Sequence, residues 1–66
     1  MLFKILDGHD SDVLGGAVSE DNVFISMYGV LVEGKKPKDL EVGESCRMRY
    51  HQALSQPTVY KVLRVE

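Results

Sequence analysis

Glu44-Ser45-Cys46-Arg47-Met48-Arg49-Tyr50-His51 alternates without a break. Cys46, Met48 and Tyr50 fall on one side of it, and Arg47, Arg49 and His51 on the other. A period of two sends successive side chains to opposite faces of a strand, so this stretch reads as an antiparallel strand with one face buried and one in water. Downstream, after a loop over residues 52–57, the run TVYKVLRV (58–65) reads as the closing strand. Its phase is double: Val59, Leu63 and Val65 share one face, Tyr60 and Val62 the other, and a bulge inside the strand would reconcile them. Upstream lies a polar loop, Glu33-Gly34-Lys35-Lys36-Pro37-Lys38, with a breaker in it. Leu40, Val42 and Gly43 follow in a short connector expected to tuck one or two apolar side chains under the sheet.

The first half supplies three more strands. Leu2-Phe3-Lys4-Ile5-Leu6 is β-prone and stops at Asp7-Gly8-His9-Asp10-Ser11-Asp12, a turn composition. Residues 13–19 (VLGGAVS) read as a second strand interrupted by two glycines, which mark a bulge, a bend or a close backbone approach. Val23-Phe24-Ile25-Ser26-Met27 reads as the third strand, continuing weakly through residues 28–32. No stretch pairs three-and-four apolar spacing with helix caps. The expected fold is all-β, a small five-stranded antiparallel barrel of the OB type, with residues 1–66 as a single domain; an SH3-like barrel has a similar strand count and composition. Barrel closure suits a chain of 66 residues, because so short a chain buries only ~60% of its unfolded surface and gains from losing its sheet edges.

Composition narrows the function classes. Eight Lys and Arg against ten Asp and Glu leave a net charge of −2, which argues against a strongly electrostatic nucleic-acid binder but leaves room for one that works by stacking. A single cysteine forms no internal disulfide, so a reducing cytoplasm is expected. No apolar run approaches the ~20 residues of a membrane span, and the N-terminus has no signal-peptide pattern. His9, His51 and Cys46 lack paired ligand spacing, so no metal is expected. No nucleophile–base pairing, phosphate-cradling glycine loop or carboxylate dyad emerges, and the chain reads as non-catalytic and without a cofactor.

In order and spacing, nearly the whole chain resembles the cold-shock domain family. Phe3-Lys4-Ile5-Leu6-Asp7 stands where that family has V-K-W-F-N, Leu14-Gly15-Gly16-Ala17-Val18 where it has G-F-G-F-I, and Val23-Phe24-Ile25-Ser26-Met27 where it has V-F-V-H-F. Residues 40–50 resemble its L-x-x-G-x-x-V-x-F-x-V segment. The resemblance implies a domain that binds single-stranded RNA or DNA on the face of strands one to three. It places Lys4 and Phe24 on that face, with Ser26 at the family's His position, and Tyr28, just beyond the strand, offers a second ring there. The alternation of residues 44–51 independently puts Arg47 and Arg49 on one exposed face, a secondary basic stripe that either tracks a nucleic-acid backbone or keeps a small barrel soluble.

The departures fall on the same face. Ile5 replaces a Trp, Gly15 and Ala17 replace two Phe, Ser26 a His and Met27 a Phe. A stacked base contributes on the order of 1–3 kcal/mol, so the absence of several rings implies weak binding. The alternative is a degenerate barrel in which Ile5, Ala17, Phe24 and Met27 form an apolar patch for a protein partner or a second copy. From the strand count alone, circular dichroism should show a β spectrum with less than about a quarter helix, the ceiling for an all-β fold.

Overall fold

The computed structural model describes residues 1–22, 29–51 and 56–66. Five strands form one sheet: β1 (Leu2–Leu6), β2 (Val18–Ser19), β3 (Gly29–Glu33), β4 (Ser45–Tyr50) and β5 (Thr58–Arg64). All pairings are antiparallel, in the order β2-β1-β5-β4-β3. The all-β class and the five antiparallel strands therefore stand as read. The sheet is barrel-like but does not close among the described residues, since β2 and β3 are its two edges.

β4 carries the expected alternation in full: Cys46, Met48 and Tyr50 are buried and Ser45, Arg47 and Arg49 exposed. β5 pairs with it residue for residue from Ser45↔Leu63 to Tyr50↔Thr58. It also pairs with β1 in unbroken register from Phe3↔Arg64 to Leu6↔Lys61. No bulge interrupts β5. Its core face is the one with Tyr60 and Val62, while Val59 and Leu63 point outward. The irregularity lies in β3, where Leu31 pairs with Met48 but Glu33 pairs with Arg47, leaving Val32 as the extra residue.

The core is Phe3 and Ile5 from β1, Cys46, Met48 and Tyr50 from β4, Val62 from β5, and Leu40 from the connector. Leu14, Val18 and Tyr60 pack against it. Leu40 follows a single 3₁₀ turn at Pro37–Asp39, and is held there as its N–H donates to the Pro37 carbonyl at 3.2 Å. Arg64 Nη1 donates to the Leu40 carbonyl at 2.7 Å, tying the connector to the end of β5. Of the two connector residues that could tuck inward, only Leu40 does; Val42 is 62% exposed.

β2 is shorter than its sequence suggests. Asp12 Oδ1 accepts the backbone N–H groups of Leu14 and Gly15, both at 3.1 Å, and Gly15 takes a left-handed φ of 74°. A short carboxylate that captures nearby N–H groups offers the backbone an alternative to the strand ladder. Of the expected strand only the pair Val18–Ser19 remains, and an isolated bridge, Leu6↔Asp12, lies just before that strand in the turn. The expected third strand over residues 23–27 lies outside the described residues, and β3 occupies the stretch expected as its weak continuation.

Gly29 is where β3 crosses the core side chains of β4. A Cβ there would come within 2.6 Å of Met48 Cε and 2.7 Å of Tyr50 Cε1. Met48 can swing aside, but the Tyr50 ring is walled in. Gly29→Ala should therefore destabilise the domain by about 1–3 kcal/mol, the usual range for overpacking, as measured by urea unfolding; an unchanged midpoint would show that β3 does not lie against Tyr50.

Candidate nucleic-acid interface

The outward face of β1, β5 and β4 follows from the register. Three rows cross it: Lys4–Leu63–Ser45, then Leu6–Lys61–Arg47–Glu33, then Val59–Arg49–Val30. The charged side chains on these three strands are all cations: Lys4, Arg47, Arg49, Lys61 and Arg64. All ten carboxylates of the chain lie elsewhere, in loops, at the C-terminus or on the edge strand β3. The charge is thus segregated, with a basic centre and an acidic rim. A net charge of −2 conceals this arrangement.

Two of the cations meet rim carboxylates. Lys61 Nζ lies 3.0 Å from Asp10 Oδ1, and Arg47 Nη1 lies 3.3 Å from Glu33 Oε2. All four side chains are well exposed, from 42% at Lys61 to 72% at Asp10. Exposed pairs of this kind contribute about 0–1 kcal/mol. Arg47 and Lys61 are also direct cross-strand partners. Like charges so placed repel, which gives each a reason to recruit a carboxylate from its own side.

The loop that brings Asp10 to Lys61 is built by Asp7. Its Oδ1 accepts the N–H of His9 at 2.8 Å and of Ser11 at 3.0 Å. These two donors hold the Asp7 carboxyl below its ordinary value, helped slightly by the His9 charge. Asp10 itself takes a left-handed φ of 61°, a region that Asp tolerates better than most residues. Between this loop and the sheet lies a cleft of about 340 Å³, with Asp7, Gly8 and Asp10 on the loop side and Arg47, Val59 and Lys61 on the sheet side.

Lys4 is exposed on β1, as expected of a contact residue, while its neighbour Ile5 is fully buried. The resemblance puts Ile5 at a stacking position, and the alternative puts it in an apolar surface patch. Both expectations are corrected here: alternation sends Lys4 and Ile5 to opposite faces, and Ile5 pairs with Val62 in the core. Gly15 and Ala17 are exposed, but in the stretch between Asp12 and β2 and not on a strand face. Phe24, Ser26, Met27 and Tyr28 lie outside the described residues. Arg47 and Arg49 share the outward face of β4, as read. Lys61 joins them, whereas Arg64 points to the other side and is taken up by Leu40. The role of Asp10 and Glu33 was not legible in the sequence; the all-cationic content of the three strands was its available signal.

Among the described residues, no three His, Cys, Asp or Glu side chains stand together to hold a metal ion, and no helix is long and apolar enough to cross a membrane. Cys46 is free and buried, and burial pushes its thiol pKa up, away from a reactive thiolate.

Comparison with protein families, curated proteins and solved structures finds no match in any of the three. The likeness to cold-shock domains therefore rests on the order and spacing of this chain's own segments.

Tyr50, on the buried side of β4, has its pKa pushed up to about 12 by burial, with a smaller contribution from Cys46. A raised folded-state value means stability is fully present below the unfolded value of about 10 and is lost as pH rises toward the folded one. Unfolding free energy should fall between about pH 10 and 12 by up to ~1.4 kcal/mol per pH unit from this group. Tyr50→Phe should flatten that alkaline limb relative to wild type; an identical limb in both proteins would refute the assignment.

Proposed function

We propose that this chain is a non-catalytic module that binds single-stranded RNA or DNA weakly, using the basic outward face of β1, β5 and β4. The observation that carries the reading is the segregation of charge: the outward face of these three strands holds four cations, Lys4, Arg47, Arg49 and Lys61, and no carboxylate. Lys4 and Arg49 reach solvent at opposite corners of the face, and Arg47 and Lys61 lie between them. Such a stripe suits a sugar-phosphate backbone, which needs positive charge at intervals and no sequence-reading groups. Weak binding is consistent with the two carboxylates already seated on the stripe. The resemblance to cold-shock domains supports the same ligand class, and the two readings share Lys4, although the basic face works by charge where the family's face works by stacking. A cytoplasmic setting accords with a free, buried Cys46.

The test is fluorescence anisotropy with a mixed-sequence single-stranded oligonucleotide at low salt. Arg49→Ala and Arg47→Ala should each weaken binding. Each should also reduce the salt slope by about 0.7, since one phosphate fewer is neutralised. Phe24→Ala reports on stacking and should matter less. Loss of binding in Phe24→Ala with none in the arginine variants would move the site to the family's stacking face. No binding by the wild type would end the nucleic-acid reading.

One observation favours a second reading, a protein-interaction module. Val30, Leu31 and Val32 on the edge strand β3 are 54%, 36% and 48% exposed. An apolar edge strand is a template for pairing with another chain. If sedimentation shows self-association that Val30→Lys abolishes, this reading gains and the basic face is a solubility device.

A further inference from the structure

The cross-strand pair Arg47↔Lys61 sits at the mouth of the cleft beneath the Asp7-to-Asp12 loop. Its two cations stand directly opposite each other, an arrangement that antiparallel sheets avoid unless something anionic lies between or beside them. In this chain two carboxylates do so, each from a different part of the fold. Asp10 reaches Lys61 from 51 positions away in sequence, and Glu33 reaches Arg47 from 14 positions away. Neither ion pair is buried, so each carboxylate can leave without stranding a charge. We propose that this cleft is a phosphate subsite of the nucleic-acid face, and that Asp10 is its displaceable internal occupant.

Arg47 and Lys61 would together engage one backbone phosphate. Arg offers a planar fork of donors that matches phosphate oxygens, and Lys adds a compact point charge. A phosphate seated there takes the place of Asp10 Oδ1 on Lys61 and of Glu33 Oε2 on Arg47, and it relieves the repulsion between the two cations. The cleft, about 340 Å³, admits a phosphate with part of its sugar. The Asp7 turn fixes the loop whether or not Asp10 is paired, because its carboxylate is bonded to the His9 and Ser11 N–H groups and not to the sheet. Asp10 therefore competes with the ligand without holding the site together.

This inference rests on the nucleic-acid reading, and the experiment separates the two. Backbone amide shifts of wild type, Asp10→Asn, Lys61→Gln and the double variant are followed against a mixed-sequence single-stranded oligonucleotide and, separately, inorganic phosphate. Asp39→Asn, an equal change of charge on the 3₁₀ turn, controls for net charge, and Asn keeps the left-handed backbone at position 10. The expected result is shifts at Asp10, Arg47 and Lys61, with Asp10→Asn binding the oligonucleotide roughly two- to fivefold tighter, the fold-change of one exposed ion pair. That gain should vanish on the Lys61→Gln background. Oligonucleotide binding in which Asp10→Asn gains no more than Asp39→Asn overturns the subsite while the nucleic-acid reading stands. Phosphate shifts at the cleft that respond to Asp10→Asn, without oligonucleotide binding, end the nucleic-acid reading and leave the subsite to small phosphate compounds. Silence in both titrations overturns both.

Discussion

The register between β4 and β5 is the constraint on which the rest of this structure depends. Six consecutive pairs, from Ser45↔Leu63 to Tyr50↔Thr58, hold the two central strands together. Because side chains alternate with a period of two, a slip of one residue would turn Cys46, Met48 and Tyr50 to water and bury Arg47 and Arg49. Burying two unpaired guanidinium groups is far costlier than any turn or loop adjustment could offset. That penalty locks the strand, and β5 then sets β1 through its other edge, placing Ile5 beside Val62 and Lys4 beside Leu63.

The same register makes the surface. It brings Arg47 opposite Lys61 and so creates a local repulsion within a sheet that is otherwise well matched. The repulsion is relieved from outside the central strands, by Glu33 across the β3 bulge and by Asp10 from the first loop. The bulge at Val32 matters here. It shifts the pairing by one, so that Glu33 and not Val32 faces Arg47. A chain with a small net negative charge can in this way present a basic centre within an acidic rim, and its overall charge is a poor guide to what the face will attract.

Ile5 shows how a resemblance in order and spacing differs from a resemblance in function. Its place in the segment Phe3-Lys4-Ile5-Leu6-Asp7 matches a stacking position of cold-shock domains, but the sheet uses it as core. A domain of 66 residues has a thin core, and it commits Phe3 and Ile5 of β1 to that interior. The side of β1 opposite Ile5 presents Lys4, and the outward faces of β4 and β5 add Arg47, Arg49 and Lys61, so what this surface offers is charge.

Read alone, the sequence determined what is local. The unbroken alternation around Cys46, Met48 and Tyr50 set the buried face of β4, the Asp-rich run after Leu6 set the first turn, and Pro37 set the break before Leu40, since each depends on neighbours within a few positions. It left the phase of β5 open, because both faces of that strand carry apolar residues and only its partners on either side, Cys46 and Ile5, choose between them. It also overextended β2, where the Asp12 carboxylate competes with the ladder. The pairing of Asp10 with Lys61 and the meeting of Arg47 and Lys61 were decided only by tertiary structure. They join residues far apart in the chain, and such contacts exist only once the non-local strand registers have formed.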